Sequence, residues 1–227
     1  MDIRQLHERI TLIRGKAQRR DSRMQDVHSV RCGDIETIMP GCFPEAWPKP
    51  VVANVIDTTA RDLAEVIAPL PSINCASGIM SSQRGKNFAS KRTKIANYYV
   101  VSSNFKIHMI QAADYYITYG FVPFMIEPDF ETKMPYIRVE DPRGSYPELD
   151  LRGRLRSFTR VLREEAHVLA AKYPELRARI LGDDGDKGAM VKLEVVKFCD
   201  KDRYVMYLPE RGNQVLQDIQ NPFGRVP

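Results

Sequence analysis

Apolar residues Ile3, Leu6, Ile10 and Ile13 recur at the spacing of one helical stripe, with Arg4, His7, Arg14 and Lys16 around it. The chain is therefore predicted to open with an amphipathic helix. Charged residues continue to Arg31. Between residues 39 and 50, Pro40, Gly41, Pro44, Pro48 and Pro50 surround the only tryptophan, Trp47. Proline lacks an amide proton and proline–glycine clusters favour turns, so this stretch is predicted to be an irregular connector. The expected organisation is a basic amphipathic arm with a Pro-rich connector over 1–50, followed by one α+β domain over 51–227.

Beyond that boundary, Val52, Val55, Ile56, Thr59, Leu63, Val66 and Ile67 repeat at helical spacing until Pro69 and Pro71 interrupt them. A second helix is predicted after a loop over 78–85, with Phe88, Ile95 and Tyr99 on one side. Ser102-Ser103-Asn104 supplies a break. Residues 105–119 are apolar on more than one face, which predicts a helix buried between layers and ended by Gly120. The period then shortens to two. Strands are expected over 121–126 and 134–139, turned by Pro128-Asp129, with Asp141-Pro142-Arg143-Gly144 closing the hairpin.

From Leu151, arginines 152, 154 and 156 alternate with apolar positions, which predicts a strand with one basic face. Leu162, Ala166, Leu169, Tyr173, Leu176 and Ile180 form a long helical stripe in which Pro174 can begin a new turn. Residues 190–199 and 203–208 flank Asp200-Lys201-Asp202 as a second hairpin. Helices followed by β-hairpins and a long helix, without regular strand–helix–strand units, define the class as α+β.

Composition refines this picture modestly. Thirty-four basic residues against 29 acidic ones leave a net charge of +5 and a pI near 9.0, which suits a polyanionic neighbour without requiring one. Cys32, Cys42, Cys75 and Cys199 are widely spaced and form no C-x-x-C pair, so reduced thiols in a cytoplasm-like compartment are expected. The most apolar stretch, 115–126, is broken by Gly120 and Pro123, well short of the roughly 20 residues a membrane helix needs. The first residues carry an acid and lead into no apolar run, unlike a secretory signal. A soluble protein is expected, with no membrane partner.

Candidate chemistry fails on spacing. Gly78, Gly85 and Lys86 suggest a phosphate loop, but position 83 is Gln where the second glycine belongs and position 87 is Asn where Ser or Thr belongs. Asp183, Gly188 and Glu194 fit three positions of a calcium loop, yet Gly185 and Lys187 occupy two others and offer no oxygen ligands. Glu164 and His167 have the spacing of half a di-iron site without a second half. His7, His28, His108 and His167 are isolated, which disfavours zinc. No catalytic, cofactor-binding or metal-binding residue is predicted, and the expectation is a protein that is not an enzyme and uses no cofactor.

Basic clusters remain: 14–23, then Arg84, Lys86, Lys91, Arg92 and Lys94, then Arg152, Arg154 and Arg156. Lys86, Lys91, Arg92 and Lys94 are the candidate phosphate contacts, against the alternative of a solvated face. Aromatic residues are not expected to interleave with these clusters in the way a stacking platform for single strands would require.

Three stretches in order carry a resemblance. An apolar helix runs into Tyr119-Gly120-Phe121 and a strand ending in Pro128-Asp129. Ile137-Arg138-Val139 leads to Asp141-Pro142-Arg143, Tyr146-Pro147, Asp150 and Arg152-Gly153. The chain closes on Asn221-Pro222-Phe223-Gly224-Arg225-Val226-Pro227. Over 51–227 this order resembles portal proteins of tailed bacteriophages, especially those of phages infecting actinobacteria.

The resemblance implies a dodecameric ring at one capsid vertex, through which double-stranded DNA is packaged and later ejected. It implies contacts with further copies of the chain, the major capsid protein, head–tail adaptor and tail proteins, the terminase that carries the motor ATPase, and DNA without sequence preference. Such a protein is assembled in the host cytoplasm and resides in the virion. The N-terminal half of these proteins builds the wing, so stem, clip and crown are expected beyond residue 227. The family supplies no catalytic residue.

A closed ring needs two unlike faces that fit each other. Tyr98, Tyr99, Tyr115, Tyr116 and Tyr119 lie on apolar helices and are expected in the core rather than at such a face. Two other readings are a basic nucleic-acid-binding module and, behind it, a metal-dependent nuclease.

Overall fold

A computed structural model describes residues 2–34, 40–42, 54–68, 70–78, 82–129, 134–182, 190–221 and 224–226. The architecture is α+β, with helices and two antiparallel sheets. Two compact units divide the chain, one formed by 1–22 with 143–227 and the other by 23–142. This division differs from the expected one near residue 50, and the Trp47 connector lies outside the described residues. Helix α1 (Ile3–Cys32) starts in the first of these units and ends in the second.

The 23–142 unit continues with α2 (Val55–Ile67), α3 (Gln83–Ser102), α4 (Phe105–Tyr119), and the paired strands β1 (Phe124–Asp129) and β2 (Met134–Val139). Local chemistry sets the helix ends. Asn54 Oδ1 accepts from Asp57 N at 3.1 Å to cap α2, and Ser82 Oγ accepts from Gly85 N at 3.2 Å to cap α3. Gly85, expected in a loop, therefore lies inside a helix. Asn104 at φ 50° breaks α3 from α4, and Gly120 at φ 78° ends α4 as expected. Pro128 and Asp129 pair with Pro135 and Met134 as part of β1, rather than making the turn.

The expectation that α4 is buried between layers is corrected: Ala112 and Ala113 are buried, while Ile107 and Tyr116 are exposed. Ala113 packs against Ala64 and Ala68, with Met109, Ile110 and Ile117 beside them. Buried Ser103 fixes the α3–α4 corner to the hairpin, since Ile137 N donates to its Oγ at 3.3 Å.

The other unit is a five-stranded antiparallel meander of β3 (Ser145–Leu149), β4 (Leu155–Glu165), β5 (Lys192–Asp200), β6 (Arg203–Leu208) and β7 (Gln214–Gln220). Helix α5 (Ala166–Lys172), a 3-10 turn at Pro174–Leu176, and helix α6 (Arg177–Leu181) lie between β4 and β5. The sheet is covered on both faces, which explains why β5 and β6 lack a clean polar alternation. Val196, Phe198, Val205 and Tyr207 pack on Leu6 and Ile10 of α1. Leu193, Val195, Met206 and Leu208 pack on Ala166, Leu169, Ala170, Ile180 and Leu181. Each large apolar side chain so buried contributes roughly 1.5–3 kcal/mol.

Several expectations change here. The strand placed from Leu151 begins at Leu155; residues 151–153 form a turn in which Asp150 Oδ1 accepts from the amides of Arg152 and Arg154 at 2.8 Å each. Leu162 belongs to β4, so the predicted long helix is a strand end followed by α5, a 3-10 turn with Pro174 at its start, and α6. The hairpin around 200–202 forms as read. Strands β3 and β7 extend it on either side of the sheet, although neither was predicted.

Two polar details close this unit. The carbonyl of Gly144, a residue at φ 74°, accepts from Val161 N at 2.8 Å, and a Cβ there would sit 2.4 Å from the Val161 carbonyl oxygen. Buried Asn221 donates through Nδ2 to the Asp200 carbonyl at 2.5 Å and the Arg225 carbonyl at 2.7 Å, while its own amide donates to the Asp202 carbonyl at 2.9 Å. The terminal Asn-Pro-Phe-Gly motif thus begins by fastening the β5–β6 turn.

Candidate interaction surface

Among the described residues, helix α2 buries its small side chains and leaves its bulky ones exposed. Ala64 and Ala68 face α4, while the bulky positions Val55, Ile56, Leu63, Val66 and Ile67 are exposed, Val66 at 78%. On a 3.6-residue winding these five positions share one side of the helix. With Thr59, Ala60 and Ile117, the residues Val55, Ile56 and Leu63 line an open groove of about 360 Å³. Asp62 and Glu65, one turn apart and exposed, flank this apolar side, and neither makes an ion pair among the described residues.

The placement of α2 is set by Arg31, at the last turn of α1. Its guanidinium reaches Asp57 Oδ1 at 2.6 Å and Asp114 Oδ1 at 2.8 Å, and donates to Thr118 Oγ1. Asn54 Nδ2 donates to the Arg31 carbonyl. Burial of the guanidinium opposes its charge, but the hydrogen bonds it donates to Asp57 and Asp114 and the charges of these carboxylates outweigh that and hold the pKa above its ordinary value.

Helix α3 carries the predicted phosphate contacts. Lys86, Lys91, Arg92 and Lys94 are all exposed, and among the described residues none of them makes an ion pair. The helix contains no acid anywhere. The inner side is small: Ala89 is buried, and Thr93 Oγ1 accepts from Cys75 N at 2.9 Å, which ties a non-helical segment to it. The outer side lines apolar and basic groups up on one stripe. Phe88, Ile95 and Tyr98 are half exposed and follow the same stripe as Arg84 and Lys91, with the Arg84 guanidinium 5.7 Å from the Phe88 ring centre. The reading that aromatics do not interleave with this cluster is therefore corrected, as is the placing of Tyr98 and Tyr116 in the core, since both are more than half exposed.

The other basic clusters behave differently. Arg14 pairs with Glu194 at 2.7 Å, and Arg20 pairs with Asp21 at 2.9 Å while stacking 5.1 Å over Tyr146, whose hydroxyl donates to Asp21. These arginines hold α1 on its own sheet. Burial and the neighbouring Asp21 push the Tyr146 pKa up. Arg152 and Arg154 are exposed in the turn and Arg156 is exposed at the start of β4, so the three do not line one strand face.

Glu194, the last position of the calcium-like pattern, is occupied by Arg14, and residues 183–189 of that pattern lie outside the described residues. His167 Nδ1 lies 3.4 Å from Glu165, not against Glu164. Among the described residues no three His, Cys, Asp or Glu side chains stand together to hold a metal ion, and no helix is long and apolar enough to cross a membrane. No protein-family model matches the chain, and no curated protein matches it.

Proposed function

We propose that the chain is a structural subunit of a head–tail connector, the wing region of a tailed-phage portal, and that its work is assembly rather than catalysis. The observation that carries this reading is the apolar side of α2. Monomeric proteins rarely leave a continuous apolar face open, and such a face marks an interaction site. A ring subunit has a use for it, because every copy must be covered by another protein. The resemblance adds support through its order: α4 into β1, β2 into the Asp141 turn and β3, and β7 into Asn221 follow one another as the motif stretches do.

Under this reading the ring meets the capsid protein, adaptor and tail proteins and the terminase, and the exposed cations of α3 lie in a particle filled with double-stranded DNA. The site of action is the virion vertex, after assembly in the host cytoplasm. A second reading, a nucleic-acid-binding module, is favoured by an acid-free helix, α3, that combines cations with exposed rings, since both backbone attraction and base stacking use those groups.

Negative-stain microscopy and native mass measurement on the product of the complete gene separate the two. A closed ring of about a dozen copies is expected from heterologous contacts. Monomers or dimers that bind DNA with a steep salt dependence would instead establish the binding module.

A further inference from the structure

We infer that the apolar side of α2 docks on the exposed side of α3 in a second copy of this chain. The inference rests on the assembly reading above and names the two faces that such an assembly joins. The argument begins with what each face lacks. Helix α2 offers Val55, Leu63 and Val66 uncovered, flanked by Asp62 and Glu65 without partners; α3 offers Phe88, Ile95 and Tyr98 uncovered, flanked by Lys91 and Lys94 without partners. In each helix the charged pair is spaced three residues apart, about 4.5 Å along the axis. The two faces are therefore matched in apolar character and opposite in charge.

Neither face matches itself. Two α2 faces would bring acids together and two α3 faces would bring cations together, and like charges in an apolar contact are costly. Unlike faces meeting between copies is the arrangement both sequences favour. Joining the α2 face of one copy to the α3 face of the next leaves α3 open on the first copy and α2 open on the second, so the contact can propagate, as ring closure requires. A nucleic acid is the rival occupant of α3, but it accounts for nothing on α2.

Charge reversal tests this on the whole chain. Variant A carries Asp62→Lys and Glu65→Lys; variant B carries Lys91→Glu and Lys94→Glu. All four positions are exposed, so both variants should fold, which circular dichroism and unfolding midpoints verify. Sedimentation velocity over a concentration series reads association. Each variant alone should associate at least ten-fold more weakly than the parent chain, because its two faces now carry one sign. An equimolar mixture should recover association, since both faces of A are positive and both faces of B negative, with the two alternating in the assemblies.

Association of the parent chain that survives both reversals would overturn the inference and leave the assembly reading in place. Weakening without recovery in the mixture would also overturn it. A parent chain that stays monomeric throughout would overturn the assembly reading itself. Loss of duplex DNA binding in variant B with unchanged self-association would assign α3 to nucleic acid instead.

Discussion

Arg31 Nη2 sits 2.6 Å from Asp57 Oδ1, joining the last turn of α1 to the first turn of α2. A cation at a helix C-terminus and an anion at a helix N-terminus are each favoured by the aligned peptide dipoles, so the pair is supported from both ends. The arginine is mostly buried, also pairs with the Asp114 carboxylate and donates to Thr118 Oγ1. Arg31→Ala leaves two carboxylates facing each other and is expected to cost roughly 3 kcal/mol. Arg31→Lys should recover only part of this, because one ammonium cannot fork to three acceptors. Denaturant midpoints check both, and an unchanged midpoint for the alanine variant would remove the hub from the account.

Gly144→Ala is expected to destabilise the meander by roughly 2 kcal/mol or more, from the positive φ combined with a backbone collision at 2.4 Å. Gly212→Ala, at a similar φ of 63° but with no atom within 4 Å, should cost less. Comparing the two thermal midpoints isolates the collision from the dihedral strain.

Tyr207 should make the fold sensitive to alkali. Its ring is fully buried, and burial together with the nearby Glu194 charge pushes its pKa up to about 12, against the opposing effect of Arg14. A raised pKa favours the neutral hydroxyl in the folded state. The associated stability is fully present below the unfolded value near 10 and is lost as the pH rises from about 10 to 12. That loss is on the order of 2 kcal/mol. Tyr207→Phe should flatten the decline while losing about 1 kcal/mol at neutral pH with the 3.1 Å bond to His7 Nδ1. Chemical unfolding between pH 8 and 11.5 reads both effects.

Asn221→Ala is expected to loosen the β5–β6 turn, since it leaves the Asp200 and Arg225 carbonyls without their Nδ2 donor. Losing a buried donor of this kind costs roughly 1–3 kcal/mol. Hydrogen exchange should show the loss first at the amides of 202–204, with the α1 side of the chain unaffected.

Leu63→Ser with Val66→Ser should barely change the unfolding midpoint, within about 0.5 kcal/mol, because both side chains are already in water. Self-association should fall sharply. A large drop in stability instead would mean that these residues are part of this chain's own core.

The sequence alone determined the elements whose pattern is local. The Leu6–Ile10 stripe of α1, the stop of α4 at Gly120 and the hairpin turned at 200–202 were legible because periodicity and turn chemistry are properties of neighbouring residues. The α+β class followed from them. The four candidate cations of α3 were also found this way, since a charge cluster needs no tertiary information to be seen.

Tertiary structure decided what each face meets. Periodicity placed Val55, Leu63 and Val66 on one side of α2, but only packing shows that α4 takes the alanines and leaves that side open. Winding α3 put Phe88, Ile95 and Tyr98 on one exposed stripe with Arg84 and Lys91. Strands β3 and β7 were missed because they gain their form from hydrogen bonds to the neighbouring strands β4 and β6 rather than from an alternating pattern of their own. A pattern tells which residues share a surface; the free energy of covering that surface belongs to whatever comes to lie against it.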